Sequence, residues 1–272
     1  MTHTHGAAPP RSSNDPLIDW LLDGDPSIRW QVMRDLTDTP HDIVAAERAR
    51  VASEGWGPRL GVRSFLVRLR RWMVSPRWYV LALVPSLALA GTVLLLSLAS
   101  SDFRPALFDS NATSSILLGA LVPSLIFGFC EEVGWSGFAV PRLRARHGIL
   151  TTGLTVGTVW GAWHFPLFWE RDSFSAVLPF TILLARLFSW LPPFRVLMVW
   201  MYDRTESLPV VMFMHAALVF TQLTLFPAAL RGARVLTAVL ATAVTVWLVL
   251  AVVALDSHGG RLRREPLRPT LT

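Results

Sequence analysis

Residues 114–138, SSILLGALVPSLIFGFCEEVGWSGF, decide how this chain is read. The run is apolar over most of its length and long enough to cross a bilayer, which takes roughly 20 residues as a helix. Near its end it carries two adjacent carboxylates, Glu131 and Glu132. An ionised side chain at mid-membrane costs roughly 2.5–3.5 kcal/mol on insertion scales. Two of them side by side therefore belong against a protein interior or a wet cavity. Successive helical positions are about 100° apart, so both cannot point at one atom. One should face the cavity and the other should be held by supporting groups.

Further apolar runs lie near 78–99, 149–168, 176–202, 208–227 and 234–255. About half of the 272 residues are apolar and the mean hydropathy is positive, which exceeds what an ordinary soluble domain carries. The formal charge is +6 and all 25 basic residues are arginine. These arginines sit beside the apolar runs, so they read as topology signals and lipid-headgroup contacts, not as a nucleic-acid surface. Arg63, Arg68, Arg70, Arg71 and Arg77 precede the first run, Arg142, Arg144 and Arg146 follow the second, and Arg261, Arg263, Arg264 and Arg268 follow the last. Placing all three clusters in the cytoplasm requires an even number of crossings, and six satisfies it with both termini inside. Pro192-Pro193 then kinks one span over 176–202 instead of dividing it. Arg231 and Arg234 fall on the outer side. The expected fold is all-α: a polytopic membrane helical bundle of about six spans over 78–257, followed by a basic cytoplasmic tail, 258–272.

Ahead of the bundle, residues 1–14 are polar and Pro-rich, without the apolar core of a cleavable signal peptide, and read as a disordered tail. Residues 15–60 read as a short soluble helical segment. Asp15-Pro16, Asp25-Pro26 and Thr39-Pro40 each pair an N-cap side chain with proline at the first helical position. Leu17, Trp20 and Leu21 could form one apolar stripe, and Ile28, Val32, Met33 and Leu36 another. The stretch DWLLDGDPSIRWQVMRDLTDTP weakly resembles the opening of squalene-cyclase-like repeat proteins, and no activity is carried over from it. Residues 61–77, GVRSFLVRLRRWMVSPR, place Val62, Phe65, Leu66, Leu69 and Trp72 on one face, with arginines elsewhere, the pattern of a helix lying in the membrane interface. Trp78 and Trp169 near span ends fit interfacial anchors. Cys130 is the single cysteine, which excludes a disulfide framework and a cysteine zinc cluster; it reads as packing. Gly134 and Gly137 flank Trp135 and suit close helix packing.

Of seven histidines, two lie inside apolar runs: His164 in TVWGAWHFPLFW and His215 in LPVVMFMHAALVF. A cavity carboxylate with two imidazoles can activate water. The carboxylate accepts a proton, one imidazole orients the water, and the other steadies a developing oxyanion. Glu131, His164 and His215 could equally hold a zinc ion with an open position for water. The residues leave both mechanisms open. Arg186 is a further intramembrane charge.

Three motifs in order carry a family resemblance. CEEVGWSGFAVPRL resembles the first motif of the intramembrane proteases of the CAAX-protease and bacteriocin-processing family. WGAWHFPLF resembles the second, with Trp160 four residues before His164, and WMYDRTESLPVVMFMHAA leads to the third at His215. The resemblance implies a membrane-embedded endopeptidase of a bacterial inner membrane, with a peptide or protein substrate and no nucleic acid. It implies Glu131 as general base, His164 as its water-holding partner, Glu132 as supporting carboxylate and His215 as the oxyanion-side histidine. Two positions depart from the pattern. Ser136 stands where the family usually has arginine, which removes an ion-pair partner of the glutamates. Val219 stands where it usually has asparagine, which removes an amide that helps hold an oxyanion. Arg186 has two readings: an arginine snorkelling to the membrane interface, which is the ordinary case, or a substitute for the missing guanidinium that reaches Glu131 or Glu132 from a neighbouring helix. Two other functions stay open: a transporter or proton-coupled channel, which strings its polar groups along a path, and a weakened relative that sequesters a peptide or toxin.

Overall fold

The computed structural model describes residues 16–54, 61–108, 113–227 and 230–256. The expected tails at 1–14 and 258–272, the Asp15 cap and the last arginine cluster lie outside these residues. The described residues are helical, without a strand. They fall into two compact units that divide between Val67 and Arg68.

The first unit holds three short helices: α1 (Pro16–Leu22), α2 (Pro26–Leu36) and α3 (His41–Glu54). Asp25 caps α2 by accepting from the Ser27 amide at 2.9 Å, with Pro26 at the first helical position. Its buried apolar side chains include Ile18, Val32 and Val44. The expected Leu17–Trp20 stripe is one residue out of register: Trp20 is 70% exposed and Leu17 54%. The inward face of α1 runs instead through Ile18, with Leu21 and Leu22 half-buried, which is the same i, i+3, i+4 spacing started one position later. Glu47 is buried and held by Arg29 at 2.6 Å and Arg50 at 3.0 Å.

A short helix, α4 (Val62–Leu69), crosses the division. It is amphipathic but stops well before residue 77, so Trp72 is not on its face. The chain leaves the helix because Arg71 is tied down by tertiary bonds: its guanidinium pairs with Glu206 at 2.6 Å, and its carbonyl accepts from the Ser207 hydroxyl at 2.6 Å.

The second unit contains the bundle: α5 (Arg77–Ala99), α6 (Thr113–Gly134), α7 (Val140–Arg144), α8 (Ile149–Trp163), α9 (Phe165–Phe168), α10 (Val177–Phe188), α11 (Leu191–Thr205), α12 (Leu208–Leu225) and α13 (Ala233–Asp256). Five segments among the described residues are long and apolar enough to cross a membrane: 77–99, 113–144, 177–205, 208–225 and 233–255. The sixth expected span differs. α8 has 15 residues, about 22 Å at helical rise, against a hydrocarbon layer of roughly 30 Å.

Ion pairs nevertheless label two ends of the bundle. Asp102, after α5, pairs with Arg234 at the start of α13 at 3.0 Å. At the other end Arg71 meets Glu206, and Arg144 meets Asp203 at 2.7 Å. The chain therefore runs between the two ends six times, with α8 as the short traverse. The segment 177–205 is one traverse broken at Ser189-Trp190, where Pro192 and Pro193 open α11 without needing the amide bonds they lack.

α11 is the central helix, with Leu191 through Val199 all buried. A helix buried on every side is a core element. α8 reaches it through a row of glycines four residues apart. A Cβ on Gly153 would lie 2.5 Å from Val196 Cα and one on Gly157 2.6 Å from Pro192 Cα, while one on Gly161 would run into the Leu187 carbonyl oxygen of α10. Such small residues let backbones approach closely where lipid supplies no hydrophobic drive between helices. Gly128 does the same for α6 against α12, 2.7 Å from the Met212 carbonyl oxygen. Gly134 meets nothing within 4 Å, so it is not a packing glycine. Outward faces keep large apolar side chains, such as Leu95, Leu98, Val252 and Leu255, as a lipid-facing surface requires. Cys130 is exposed on the outside of α6 and not packed within the bundle.

Candidate active site

The end of α6 sets the two glutamates on different faces. Glu132 is fully buried, while Glu131 is half-buried. Past Gly134 the helix widens into a π-helical turn, Trp135–Ala139, a distortion frequent at functional sites. It brings the Ser136 hydroxyl onto Glu132, to which it donates.

Glu132 is held by three side chains. Arg195 Nη1, from α11, donates to its two oxygens at 3.0 and 2.8 Å. His215 Nδ1, from α12, donates to Oε1 at 2.8 Å. Arg195 is 0% and His215 2% exposed. A buried carboxylate without such partners would carry a large desolvation cost; here three groups from three elements offset it. Because Nδ1 of His215 is committed to the carboxylate, Nε2 is its free nitrogen.

Glu131 turns to α8, where Trp160 Nε1 donates to its Oε2 at 2.7 Å. His164 closes α8. The Trp160 carbonyl there accepts twice from His164, from its amide at 3.2 Å and from its ring Nδ1 at 2.7 Å. A carbonyl only accepts, so the proton sits on Nδ1 and Nε2 keeps its lone pair. His164 is half-buried, and Glu131, His215 and Arg195 all lie within electrostatic reach of its ring.

Trp160 is the hub. It is 1% exposed. The His164 and His215 rings stand edge-on to it with centroids at 5.0 and 5.3 Å, and the Arg195 guanidinium lies 4.1 Å over its ring, a cation–π geometry. Phe168 stacks on His164 at 5.8 Å. Next to His164 along the chain opens an apolar cavity of about 340 Å³, lined by Phe165, Phe174, Phe180, Leu187 and Phe188 among others.

Glu131, Glu132, Trp160, His164 and His215 thus come together from three helices. Arg186 does not. Its guanidinium pairs with Glu170 at 2.5 Å at the far end of α10, because it sits near the chain break that turns that face toward the 164–176 loop. The guanidinium on Glu132 belongs to Arg195, in the run PPFRVLMVW. Its sequence signal is the same as that of Arg186, an arginine within an apolar span. Glu131, His164 and His215 do not form a metal-binding set: among the described residues no three His, Cys, Asp or Glu side chains are grouped to hold an ion. Glu131 faces the indole, and Glu132 is taken up by its own partners. Val219 is half-buried one turn beyond His215 and offers no polar group.

Comparison with known proteins adds two findings. Residues 113–221 match the family described as "Type II CAAX prenyl endopeptidase Rce1-like". A protein of Methanococcus maripaludis named CAAX prenyl protease 2 is 33% identical over 76 residues, 28% of this chain and 23% of that protein. The shared stretch is thus about a quarter of the relative's length. The matched segment contains α6, α8, α10, α11 and most of α12, the helices that build the site. Residues 113–221 of this polytopic helical membrane protein are thus similar to the Rce1-like CAAX prenyl endopeptidases.

Proposed function

We propose that the chain is an intramembrane endopeptidase in which Glu131 activates water against a peptide bond. The observation that carries this reading is the division of labour between the glutamates: Glu132 is saturated by Arg195, Ser136 and His215, while Glu131 stays half-buried beside His164. Water gives one hydrogen bond to Glu131 and the other to the free Nε2 of His164. As the water oxygen bonds to the substrate carbonyl carbon, its proton passes to Glu131 and the carbonyl π electrons move onto oxygen. His215, held by Glu132 through Nδ1, turns Nε2 toward that oxyanion. The tetrahedral species collapses, the C–N bond breaks, and Glu131 returns the proton to the leaving amine.

The polar groups gather around one indole instead of forming a chain across the bundle, which favours hydrolysis over a proton path. The relative's name points to a prenylated CAAX-type C-terminus as substrate, and the apolar cavity beside His164 suits such a chain. The arginine-rich end, with Arg70, Arg71, Arg142 and Arg144, faces the cytoplasm of a bacterial inner membrane. Purified protein in liposomes, given a farnesylated CAAX-type peptide, should release the terminal tripeptide, read by mass spectrometry. Absence of release across a panel of prenylated and unprenylated peptides would sink the reading and leave peptide capture without cleavage, which the missing amide at Val219 favours. Activity that survives chelators is the expected result for this water-and-carboxylate route.

A further inference from the structure

We infer that Arg195 is the positioning residue of this site, delivering from α11 the positive charge that position 136 would otherwise supply from α6. This deepens the reading above and rests on it for catalytic meaning, though not for its electrostatics.

Four observations converge. Position 136 faces Glu132 across the π-helical turn, since the Ser136 hydroxyl donates to that carboxylate and Ser136 is 1% exposed. A hydroxyl there satisfies a lone pair but brings no charge. The charge comes from Arg195, whose Nη1 reaches both Glu132 oxygens while its guanidinium rests on the Trp160 face. Arg195 reaches this position because Gly157 lets α8 press onto α11; a Cβ at 157 would lie 3.0 Å from the Arg195 Cβ. Finally, Arg195 Nε and Nη2 are buried and have no hydrogen-bond partner among the described residues. Buried guanidinium donors are costly to leave unmet, so a residue kept here with two of them unmet is placed for its charge on Glu132 and Trp160 more than for its own bonding.

Arg195 thereby joins both halves of the site. On one side it sets a positive charge against Glu132, which accepts from Arg195 Nη1 and from His215 Nδ1 and so leaves Nε2 of His215 toward substrate. On the other it fixes the plane of Trp160, whose N–H holds Glu131 and whose carbonyl sets the His164 tautomer. Charge, not the residue number that bears it, is what the site needs.

The test is a charge swap between helices. Arg195→Met, Ser136→Arg, the double variant and Arg195→Lys are purified in detergent. Melting is followed by tryptophan fluorescence, and cleavage of a farnesylated CAAX-type peptide is measured where wild type cleaves it. Arg195→Met should melt about 5–15 °C below wild type, as for a broken buried ion pair. Ser136→Arg alone should also melt lower, with two guanidiniums crowding one carboxylate. The double variant should recover at least half of the Arg195→Met deficit, because the arginine at 136 enters the space that methionine vacates. In cleavage, Arg195→Met should lose roughly 10–100-fold in kcat with KM little changed, Arg195→Lys should lose less, and the double variant should regain most of it.

If Arg195→Met yields no folded protein, recovery of folded protein by the double variant supports the assignment, and failure of both overturns it. Additive or worse melting in the double variant overturns it as well. Swap behaviour in melting with no cleavage by wild type would uphold the charge assignment while removing the protease reading. Cleavage by wild type without rescue would do the reverse.

Discussion

At the scale of single residues, the site is a set of committed nitrogens and oxygens. His164 and His215 each spend Nδ1 on a fixed acceptor, the Trp160 carbonyl and Glu132, and so present Nε2. Trp160 acts twice, through its N–H on Glu131 and its carbonyl on His164. Trp160→Phe keeps an aromatic face but removes the N–H that holds Glu131 and part of a buried ring, so cleavage should fall roughly 10–100-fold and melting should drop by a few degrees, about what a small core cavity costs. Arg186→Ala, which removes only an exposed pair with Glu170, should change cleavage less than about 5-fold, since such pairs contribute about 0–1 kcal/mol. Equal effects from the two substitutions would contradict the geometry. The two glutamates and two histidines were legible in the sequence because charge and imidazole inside apolar runs are conspicuous. Arg195 was as conspicuous as Arg186. Which of the two reaches Glu132 depends on the break at Ser189-Trp190, which rotates one half of the span against the other, and hydropathy does not record a rotation.

At the scale of helices, the close contact of α8 with α11 sets the site. Gly153 and Gly157 let α8 lie close on Val196 and Pro192 of α11, and Gly161 on Leu187 of α10, and this brings Trp160 over Arg195. Gly157→Leu would push its Cβ to within 2.6 Å of Pro192 Cα. Overpacking of about 1–3 kcal/mol should lower melting by roughly 4–12 °C and abolish cleavage together with it. A Gly157→Leu protein that melts like wild type would show that the contact is not tight. Span limits at 77–99 and 208–225 follow closely from length and apolarity. The stop of α4 at Leu69 and the single-register shift of α1 do not, because tertiary bonds at Arg71 and the burial of Ile18 decide them.

At the scale of the whole molecule, six traverses set opposite ends at opposite faces, although five segments among the described residues meet the length of a span. The account requires α8 to count as a traverse. In a Cys130→Ser background, Arg70→Cys and Arg231→Cys, both exposed, should react with a membrane-impermeant maleimide from opposite sides of sealed vesicles. Labelling from the same side would remove α8 from the count and with it the proposed orientation. The central claim concerns one carboxylate, and wild-type and Glu131→Gln proteins, matched in melting and reconstituted side by side, address it most directly. Glutamine keeps the shape and the indole contact but cannot take a proton, so peptide release should fall by about 10²–10⁴-fold. Equal rates for the two proteins would contradict the assignment of Glu131 as the base.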